Sequence, residues 1–334
     1  MSETMRCAVV GGGAWGTAIA DRLARNGWPT MLWARELDVV ESINTTHENR
    51  RFLPDLPLTP ALLASDDMSH VLSDATLVVY AAPSHVLRLV VQASQPSLKA
   101  GAVLSVATKG IERETLALMT DVVEQAAPAH DVVAISGPSF AAEVAKGQPT
   151  AIVAAGASHD AAKLVQRALS APAFRVYTSD DVVGVELGGA LKNVMAVATG
   201  ILDGLGMGFN PRAALMTRGL AEMTRLGVAL GAKPDTFAGL AGLGDLVLTC
   251  TGALSRNRAV GVAIGQGQTL EQALAGKDSV AEGVLNTESA KALADKAGVE
   301  MPIIDATHRI LFQGQSPRDA VAELMARELR PERD

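Results

Sequence analysis

The sequence predicts an α/β N-terminal half with a doubly wound, mostly parallel sheet, followed by an all-α C-terminal domain. Over residues 1–180, short β-branched apolar runs alternate with segments of helical periodicity, and turns rich in Gly, Pro and Ser separate them. Such alternation is typical of parallel strands joined by crossover helices. From about Val182 the strand pattern disappears, and stretches rich in Ala, Leu, Gly and Met follow. We therefore place a domain boundary near residue 180, with a helical domain over residues 181–334.

The individual elements follow in chain order. Apolar β-branched runs predict strands at residues 6–10, 30–34, 77–81, 103–107, 132–136, 151–155 and 174–177. Helical periodicity between them predicts helices at residues 16–26, 86–94, 116–126 and 161–169. Three prolines make residues 52–60 a predicted loop. In the second half, glycine and proline predict turns at residues 206–211, 231–234 and 239–244, and residues 326–334 are expected to form a solvated tail.

Composition excludes several classes of protein. The chain has 334 residues, 48% of them hydrophobic, which is enough apolar material for a large core. It has no uncharged apolar run of roughly eighteen residues and no signal-peptide pattern, so we expect a cytoplasmic protein without membrane insertion. Cys7 and Cys250 are far apart and predict no disulfide framework. The net charge of −7 argues against a nucleic-acid partner, and no cluster has metal-ligand spacing, so no metal is expected.

A glycine motif follows the first predicted strand. Gly11-x-Gly13-x-x-Gly16 opens a helix at this point. In a dinucleotide-binding turn, such glycines permit a tight turn, close backbone approach to a pyrophosphate and close helix-to-strand packing. The helix N-terminus adds free N–H groups and a partial positive charge. We therefore interpret residues 1–180 as a Rossmann-like dinucleotide-binding domain; the alternative is a purely structural strand-to-helix corner.

The end of the second strand bears on the choice between NAD and NADP. An acidic residue there usually binds the ribose 2′-hydroxyl of NAD, whereas arginine suits the 2′-phosphate of NADP. This sequence has Arg35 at the expected position, which favours NADP(H), but Glu36 follows directly and leaves NAD(H) open. The alternative for Arg35 is a solvated arginine at a helix start.

Lys109 closes an apolar strand at the edge of the sheet where ligands bind. A cation there is placed to meet a phosphate or a developing oxyanion. The alternative is a solvated lysine in a turn. The Ser136-Gly137-Pro138-Ser139-Phe140 segment follows another strand at the same edge, although turn chemistry alone could explain its residues.

Lys192 lies in the opening helix of the second half. On a helical wheel its face consists of small or apolar residues, namely Val185, Gly188, Gly189, Ala196 and Thr199. We expect that a ligand can approach such a lysine closely, and that desolvation together with Lys109 lowers its pKa toward that of a general base. The alternative is a lysine that snorkels over apolar surface.

Polar groups occur at two further places in the second half. Asp245 follows a glycine-rich turn, where it is either an acid of the site or an ordinary capping residue. Ser255, Arg256 and Asn257 begin a helix, and their side chains together with the backbone N–H groups would bind a phosphate well. Ser255 alone could be a simple N-cap. Among the histidines only His85 falls near the ligand edge, so lysine is the better general acid or base.

Seven segments carry a resemblance over nearly the whole chain. They are "GGGAWGTAIA", "ATKGIE", "ISGPSFAAEVAKGQPTA", "GVELGGALKNVMAVATGI", "TRGLAEMTRLG", "GLAGLGDLVLTCTGALSRNR" and "AEGVLNT". In this order they closely resemble the bacterial NAD(P)-dependent glycerol-3-phosphate dehydrogenase family. The resemblance implies reversible reduction of dihydroxyacetone phosphate to sn-glycerol 3-phosphate, which supplies glycerophospholipid biosynthesis.

The resemblance also implies residue roles. It makes Lys192 the proton acceptor and donor, with Lys109 and Asp245 as its catalytic neighbours. The substrate site it implies consists of Lys109, Gly137, Ser139, Lys192, Asp245, Ser255, Arg256 and Asn257. Besides Gly11, Gly13 and Gly16, the cofactor contacts are Ala14, Trp15, Arg35, Lys109, Ala141, Arg256, Val280 and Glu282. Position 14 is Ala where many members have Ser, so only a backbone contact is expected there.

Two alternatives stay open at this point. One is another dehydrogenase with the same domain arrangement that acts on a hydroxy acid or a sugar phosphate. The other is a non-catalytic NADP(H)-binding sensor or scaffold, against which the position of Lys192 argues. A homodimer is compatible with the Gly/Ala-lined helical faces, although the sequence does not establish it.

Overall fold

The computed structural model describes residues 5–275, 281–329 and 331–332. Within these residues the strands are β1 (Cys7–Val10), β2 (Thr30–Trp33), β3 (Glu48–Asn49), β4 (Leu53–Pro57), β5 (Leu62–Ser65), β6 (Leu77–Tyr80), β7 (Val103–Val106), β8 (Val132–Ser136), β9 (Thr150–Ala155) and β10 (Phe174–Ser179). The helices of the first half are α1 (Ala14–Arg25), α2 (Leu37–Thr46), α3 (Met68–Leu72), α4 (Leu87–Ser94), α5 (Met119–Ala126), α6 (Ala141–Ala145) and α7 (His159–Leu169). Those of the second half are α8 (Val182–Gly204), α9 (Phe209–Ala229), α10 (Pro234–Phe237), α11 (Asp245–Thr251), α12 (Arg256–Gly265), α13 (Leu270–Leu274), α14 (Glu282–Ala297), α15 (Pro302–Phe312) and α16 (Pro317–Met325).

Eight strands form one sheet in the order β10-β9-β8-β7-β6-β1-β2-β5. The six strands from β8 to β5 in this order run parallel, whereas β9 pairs with β8 antiparallel and with β10 parallel. The predicted mostly parallel sheet is therefore confirmed. The strand order reverses at β1, because the chain first moves outward through β2 and β5 and then returns to β6 on the other side. Such a reversal opens a crevice at the carboxyl ends of the strands, where ligands of doubly wound sheets bind.

Alternating side chains of the sheet pack into two apolar layers. In β1, Val9 belongs to the layer that contains Leu23 of α1 and Val165 of α7. Val10 belongs to the opposite layer, with Val91 of α4 and Met119 of α5. Because successive side chains of a strand point to opposite faces, and both faces of the sheet are covered by helices, the central strands β1, β6, β7 and β8 are buried along their whole length.

The second half is built around α8. Among the described residues after Ser179, the regular elements are all helical, as the sequence predicts. α8 is long and apolar enough to cross a membrane, but 89% of its most apolar stretch is buried inside the protein. Its apolar residues, such as Leu187 and Leu191, pack with Met223 of α9 and Leu246 of α11. α8 is thus the core helix onto which the others pack.

Glycines bring α12 into close contact with α8. A Cβ on Gly200 of α8 would collide with the carbonyl oxygen of Arg258, and one on Gly261 of α12 would collide with that of Val197. Only glycine permits this backbone approach. The start of α12, where the sequence predicts phosphate binding, is therefore held beside the helix that carries Lys192.

Residues 52–60 are not a simple loop, contrary to the prediction from their prolines. β4 pairs antiparallel with β3 in a separate two-stranded sheet, and Leu53 and Leu56 are buried against the main core. Proline lacks an N–H donor but is tolerated at the edge of a small sheet. Strand β5, which the sequence analysis did not predict, lies at the edge of the main sheet beside β2.

Candidate active site

One carboxylate joins the two lysines that the sequence singles out. Lys192 Nζ lies 2.5 Å from Oδ1 of Asp245, and Lys109 Nζ lies 2.6 Å from its Oδ2. Lys192 comes from the middle of α8, Lys109 from the loop after β7, and Asp245 from the first residue of α11. The Asp245 side chain is 1% exposed and that of Lys192 9%. The edge of the sheet and the helical half therefore meet at a buried Lys-Asp-Lys cluster.

The tight turn before α11 sets the position of Asp245. Residues Leu240–Gly244 form one π-helical turn that leads directly into α11. Gly242 packs against the backbone of Phe237 so closely that a Cβ would collide with it. A carboxylate in the first turn of a helix is also favoured by the helix dipole.

Burial and charge shift the pKa values of this cluster. Burial favours a neutral Asp245, but the two ammonium groups outweigh it and hold the pKa of this carboxyl below its usual value. Burial lowers the pKa of Lys192 to about 8; Lys109 acts in the same direction and Asp245 opposes both. This is the direction expected from the sequence. Lys192 is thus suited to exchange a proton near neutral pH, which an ordinary lysine is not.

Thr249 is a member of this cluster that the sequence analysis missed. Lys192 Nζ donates to the Thr249 hydroxyl at 2.9 Å, and that hydroxyl donates to the Asp245 backbone carbonyl at 2.7 Å. Its single hydrogen is thereby used, so its oxygen accepts from Lys192. Two of the three Lys192 donors are therefore fixed by Asp245 and Thr249. The i,i+4 spacing of Asp245 and Thr249 on one helix face was the available signal.

The small residues beside Lys192 serve protein packing rather than ligand approach. Gly188 contacts the backbone carbonyl of Ala241 so closely that a Cβ would not fit. A Cβ on Gly189 would lie 2.7 Å from the Ser136 hydroxyl and 3.4 Å from the Lys109 side chain. The expectation that this face admits a ligand is wrong at these two glycines, because residues from the sheet edge and the turn before α11 already fill the space.

The loop after β8 lies against Lys109. Gly137 has a positive φ of 138°, and a Cβ there would lie 2.9 Å from the Ile152 backbone. Its carbonyl accepts hydrogen bonds from Lys109 Nζ at 3.3 Å and from the Ser139 hydroxyl at 2.9 Å. The loop leads into α6, whose first residue is Ala141, an expected cofactor contact. Gly137 and Ser139 are thus linked to the Lys-Asp-Lys cluster through Lys109.

The glycine turn has the geometry of an anion-binding corner. Gly11 has a φ of 127°, and a Cβ there would lie 2.9 Å from the Ala81 carbonyl, so this position requires glycine. A Cβ on Gly16 would collide with the Gly11 carbonyl. A Cβ on Gly13, in contrast, would meet no atom within 4 Å. Ala14 and Trp15 form the first turn of α1, which has no side-chain cap and no acidic residue. Its N–H groups are therefore available to an anion.

Asn49 supports this turn from below and was not predicted. Its buried Nδ2 donates to the Gly12 carbonyl and to the Thr17 hydroxyl, both at 2.8 Å. Asn49 belongs to β3, which lies in a region where the sequence analysis assigned no strand. Asn49 and Gly12 are 37 residues apart in sequence, so no local sequence pattern predicts this contact.

Arg35 and Glu36 form an ion pair just beyond β2. Arg35 Nη2 lies 2.9 Å from Glu36 Oε1; the arginine side chain is 83% exposed and the glutamate side chain 20%. Glu36 is also the N-cap residue of α2. The Arg35 side chain is therefore mostly exposed to solvent, and the neighbouring Glu36 carboxylate neutralises its charge.

The three residues that begin α12 have different surroundings. The Ser255 hydroxyl caps the helix by accepting from the Arg258 N–H at 3.2 Å. Asn257 donates to Asn193 Oδ1 and accepts from the Gly283 N–H, each at 2.9 Å. Arg256 is exposed and forms no hydrogen bond or ion pair with any described residue. Arg256 is thus the free donor of the set, while Asn257 links α8, α12 and α14.

Glu282 joins the two halves of the chain. It begins α14 and accepts hydrogen bonds from the backbone N–H of Ser84 at 3.0 Å and from the Ser84 hydroxyl at 2.5 Å. Burial raises the pKa of Glu282, against the effect of these hydrogen bonds. His85 lies in the same short helical turn as Ser84. Val280, the other cofactor contact expected in this region, lies outside the described residues.

Many of the expected site residues thus form two linked groups. Lys109, Gly137, Ser139, Lys192 and Asp245 are linked by direct hydrogen bonds. Asn257 donates to Asn193, the neighbour of Lys192 in sequence. Arg256 and Glu282 lie close enough that the positive charge of Arg256 lowers the pKa of Glu282 and the negative charge of Glu282 raises that of Arg256. Arg35 contacts neither group, which suits a residue expected at the far end of a long cofactor. In the described part of the chain no three His, Cys, Asp or Glu side chains cluster as metal ligands.

Comparison with known proteins gives consistent matches over the whole chain. Residues 6–162 match the N-terminal family "NAD-dependent glycerol-3-phosphate dehydrogenase N-terminus", and residues 181–322 match its C-terminal counterpart. The chain is 52% identical over 330 residues to a protein of Citrifermentans bemidjiense named glycerol-3-phosphate dehydrogenase [NAD(P)+], covering 98% of both chains. A likewise named Geobacter sulfurreducens protein is 52% identical over 336 residues and is covered completely, as is this chain. The crystal structure of a glycerol-3-phosphate dehydrogenase from Coxiella burnetii superimposes with a TM-score of 0.93 at 41% identity, covering 97% of this chain and 99% of that one.

Proposed function

The chain belongs to the NAD-dependent glycerol-3-phosphate dehydrogenase family and is an NAD(P)-dependent oxidoreductase acting on a CH–OH group, and from this premise we propose how its own residues carry out the reaction. Dihydroxyacetone phosphate is reduced reversibly to sn-glycerol 3-phosphate, with Lys192 as the general acid and base. The product supplies glycerophospholipid biosynthesis. With this family membership, no observation favours a dehydrogenase for other substrates or a non-catalytic sensor.

The observation that carries the proposal is the Lys-Asp-Lys cluster. The nicotinamide, when bound, supplies hydride to the substrate carbonyl carbon or takes it back. Lys192 has two donors fixed by Asp245 and Thr249, so the third faces the substrate oxygen, donates the proton in reduction and accepts it in oxidation. Lys109 stabilises the negative charge that develops on the same oxygen. Asp245 keeps both ammonium groups in place.

The phosphate of the substrate is assigned to the start of α12. Arg256 is free to bind it, and Ser255 and the N-terminal N–H groups of α12 complete the site. The Asn257 side chain is already bonded at both ends, so it contributes its remaining Nδ2 hydrogen and holds α12 against α8. Gly137 and Ser139 line the site from the sheet side. Binding energy from the phosphate then orients the reacting carbonyl.

The residues present fit a dinucleotide. The open space above Gly13 and the uncapped N-terminus of α1 suit a pyrophosphate, with Gly11 and Gly16 allowing its approach and Ala14 and Trp15 in contact. Arg35 favours NADP(H) over NAD(H) through the 2′-phosphate. Lys109, Ala141, Arg256 and Glu282 are assigned to the nicotinamide half, and Val280 is carried over from the family resemblance.

Domain organisation, location and assembly are part of the proposal as well. We place the boundary between the dinucleotide-binding and the helical substrate-binding domain near residue 180. A cytoplasmic location agrees with the free, buried thiols of Cys7 and Cys250. We also propose a homodimer, which sedimentation tests. No nucleic-acid or membrane partner is expected.

The deciding experiment follows NADPH absorbance at 340 nm after addition of dihydroxyacetone phosphate. Wild type should oxidise NADPH rapidly, and Lys192→Ala should lose the reaction while still binding NADPH in a fluorescence titration. Lys163→Ala, which removes an exposed lysine of α7, is the matched control. NADPH binding without oxidation by wild type would refute the assigned substrate. Full activity of Lys192→Ala would refute the assigned base.

A further inference from the structure

A cavity of about 480 Å³ lies against α1, apart from the residues of the candidate active site. The second half of α1, strand β4 and the end of α6 form its walls. Its charged lining consists of Asp21, Arg22, Arg25 and Lys146, and Leu56 and Val144 contribute apolar surface. This volume is in the range of small-molecule sites.

The single acid of the cavity lining is already neutralised. Asp21 Oδ2 accepts from Arg25 Nε at 2.6 Å, and its Oδ1 accepts from the Thr59 N–H at 2.7 Å. Arg25 is further fixed by the Pro57 carbonyl at 3.0 Å. Arg22 and Lys146, in contrast, pair with no carboxylate in the described parts of the chain. The cavity thus carries two uncompensated positive charges.

Arg22 also lacks a hydrogen-bond acceptor. Its Nε is buried from solvent and has no partner among the described residues, so a ligand in the cavity would reach the guanidinium through its Nη groups. Burial lowers the pKa of Arg22, Arg25 acts in the same direction, and Asp21 opposes them. A negatively charged acceptor at these Nη groups would compensate the charge.

We propose that this cavity binds a small phosphate-bearing anion, with Arg22 and Lys146 as its ligands and Leu56 and Val144 against its carbon skeleton. A guanidinium matches the geometry of a phosphate, and an ammonium adds a second charge. α1 begins at the glycine turn and α6 begins at Ala141, so this anion lies at the far ends of two helices that start at the candidate active site. The proposal does not depend on the reaction proposed above.

The test observes the Arg22 Nε–H group in the ¹⁵N–¹H spectrum of the full chain, with its signal identified by its loss in Arg22→Lys. Inorganic phosphate is titrated at constant ionic strength against chloride. We expect a saturable shift in wild type and an affinity about two- to fivefold weaker in Lys146→Gln, the effect of one partly screened charge. Lys163→Gln, an exposed lysine of α7 outside the cavity, should not change the affinity.

Three outcomes overturn the proposal: no saturation, an equal shift with chloride, or equal affinities in wild type and Lys146→Gln. Methyl phosphate serves as a second probe. Tighter binding of methyl phosphate assigns the cavity to a phosphate monoester, and equal affinities assign it to phosphate itself. Binding at the proposed substrate site is followed through the Arg256 Nε–H signal, so failure there is distinguished from failure at Arg22.

Discussion

Glu282 and Ser84 are 198 residues apart in sequence, and the Glu282 carboxylate accepts hydrogen bonds from both the backbone N–H and the hydroxyl of Ser84. A Cβ on Gly110 would lie 2.6 Å from Ser84 Cβ, so Gly110 also packs closely against Ser84. The contact ties the loop after β6, at the reversal of strand order, to the first turn of α14. A residue expected to meet the cofactor from the helical half is therefore positioned by the dinucleotide-binding half.

Removing the Ser84 hydroxyl should destabilise this contact. Ser84→Ala takes away one of two hydrogen bonds to a mostly buried carboxylate, and we expect a loss of about 1.5–3 kcal/mol in the free energy of unfolding. Urea denaturation measures it, with Ser170→Ala, an exposed serine at the C-terminal end of α7, as the control. The NADPH dissociation constant should rise because Glu282 is less well oriented. A stability and an affinity both equal to those of wild type would show that the contact has no such role.

The pKa of Lys192 predicts opposite pH dependences for the two directions of the reaction. Reduction needs the protonated lysine, so its kcat/KM should fall as pH rises through about 8. Oxidation needs the neutral lysine, so its kcat/KM should rise through the same pH. Initial rates in both directions between pH 6 and 10 test this, because the pH dependence of kcat/KM reports the pKa values of the free enzyme. Profiles that change in the same direction for both reactions would exclude Lys192 as the shared acid and base.

Thr249 is expected to act by positioning Lys192. Thr249→Val keeps the shape of the side chain but removes the acceptor at 2.9 Å from Nζ. We expect kcat to fall about 10- to 100-fold, since misplacement of a catalytic group has effects of this size, while the KM for dihydroxyacetone phosphate changes little. Thr251→Val, an exposed position on the same helix, is the matched control. A kcat unchanged in Thr249→Val would assign Thr249 to packing alone.

The ion pair of Arg35 and Glu36 predicts opposite changes in cofactor preference. Arg35→Gln removes the expected partner of the 2′-phosphate and should weaken NADPH binding about tenfold, a loss of about 1.4 kcal/mol. Glu36→Gln removes the counter-charge that competes for Arg35 at 2.9 Å, so NADPH binding should tighten. Fluorescence titrations of wild type and both variants with NADPH and NADH provide the six dissociation constants. Parallel changes for both cofactors in both variants would mean that neither residue reads the 2′-phosphate.

Local patterns in the sequence were sufficient for the fold class and for most elements. The alternation of apolar runs and helical segments predicts the main sheet. The prediction failed for segments whose conformation depends on residues distant in the sequence. Residues 52–60 contain prolines that indicate a loop, yet Leu53 and Leu56 are drawn into the core and the segment pairs with Glu48–Asn49. Strand β5 is stabilised by its neighbour β2 in the sheet, which four residues of sequence do not reveal.

By itself the sequence determined the doubly wound sheet, the helical second half and the glycine turn, and it predicted the two lysines as the chemically active groups. Backbone periodicity, glycine spacing and residue type are local properties, and the local chain encodes them directly. Only the tertiary structure decided that Lys109 and Lys192 share Asp245, across 136 and 53 residues of sequence, and that protein atoms fill the space beside Gly188 and Gly189. These contacts depend on where the loop after β7, α8 and α11 meet in space, because a buried charge is stable only where partners from other elements compensate it.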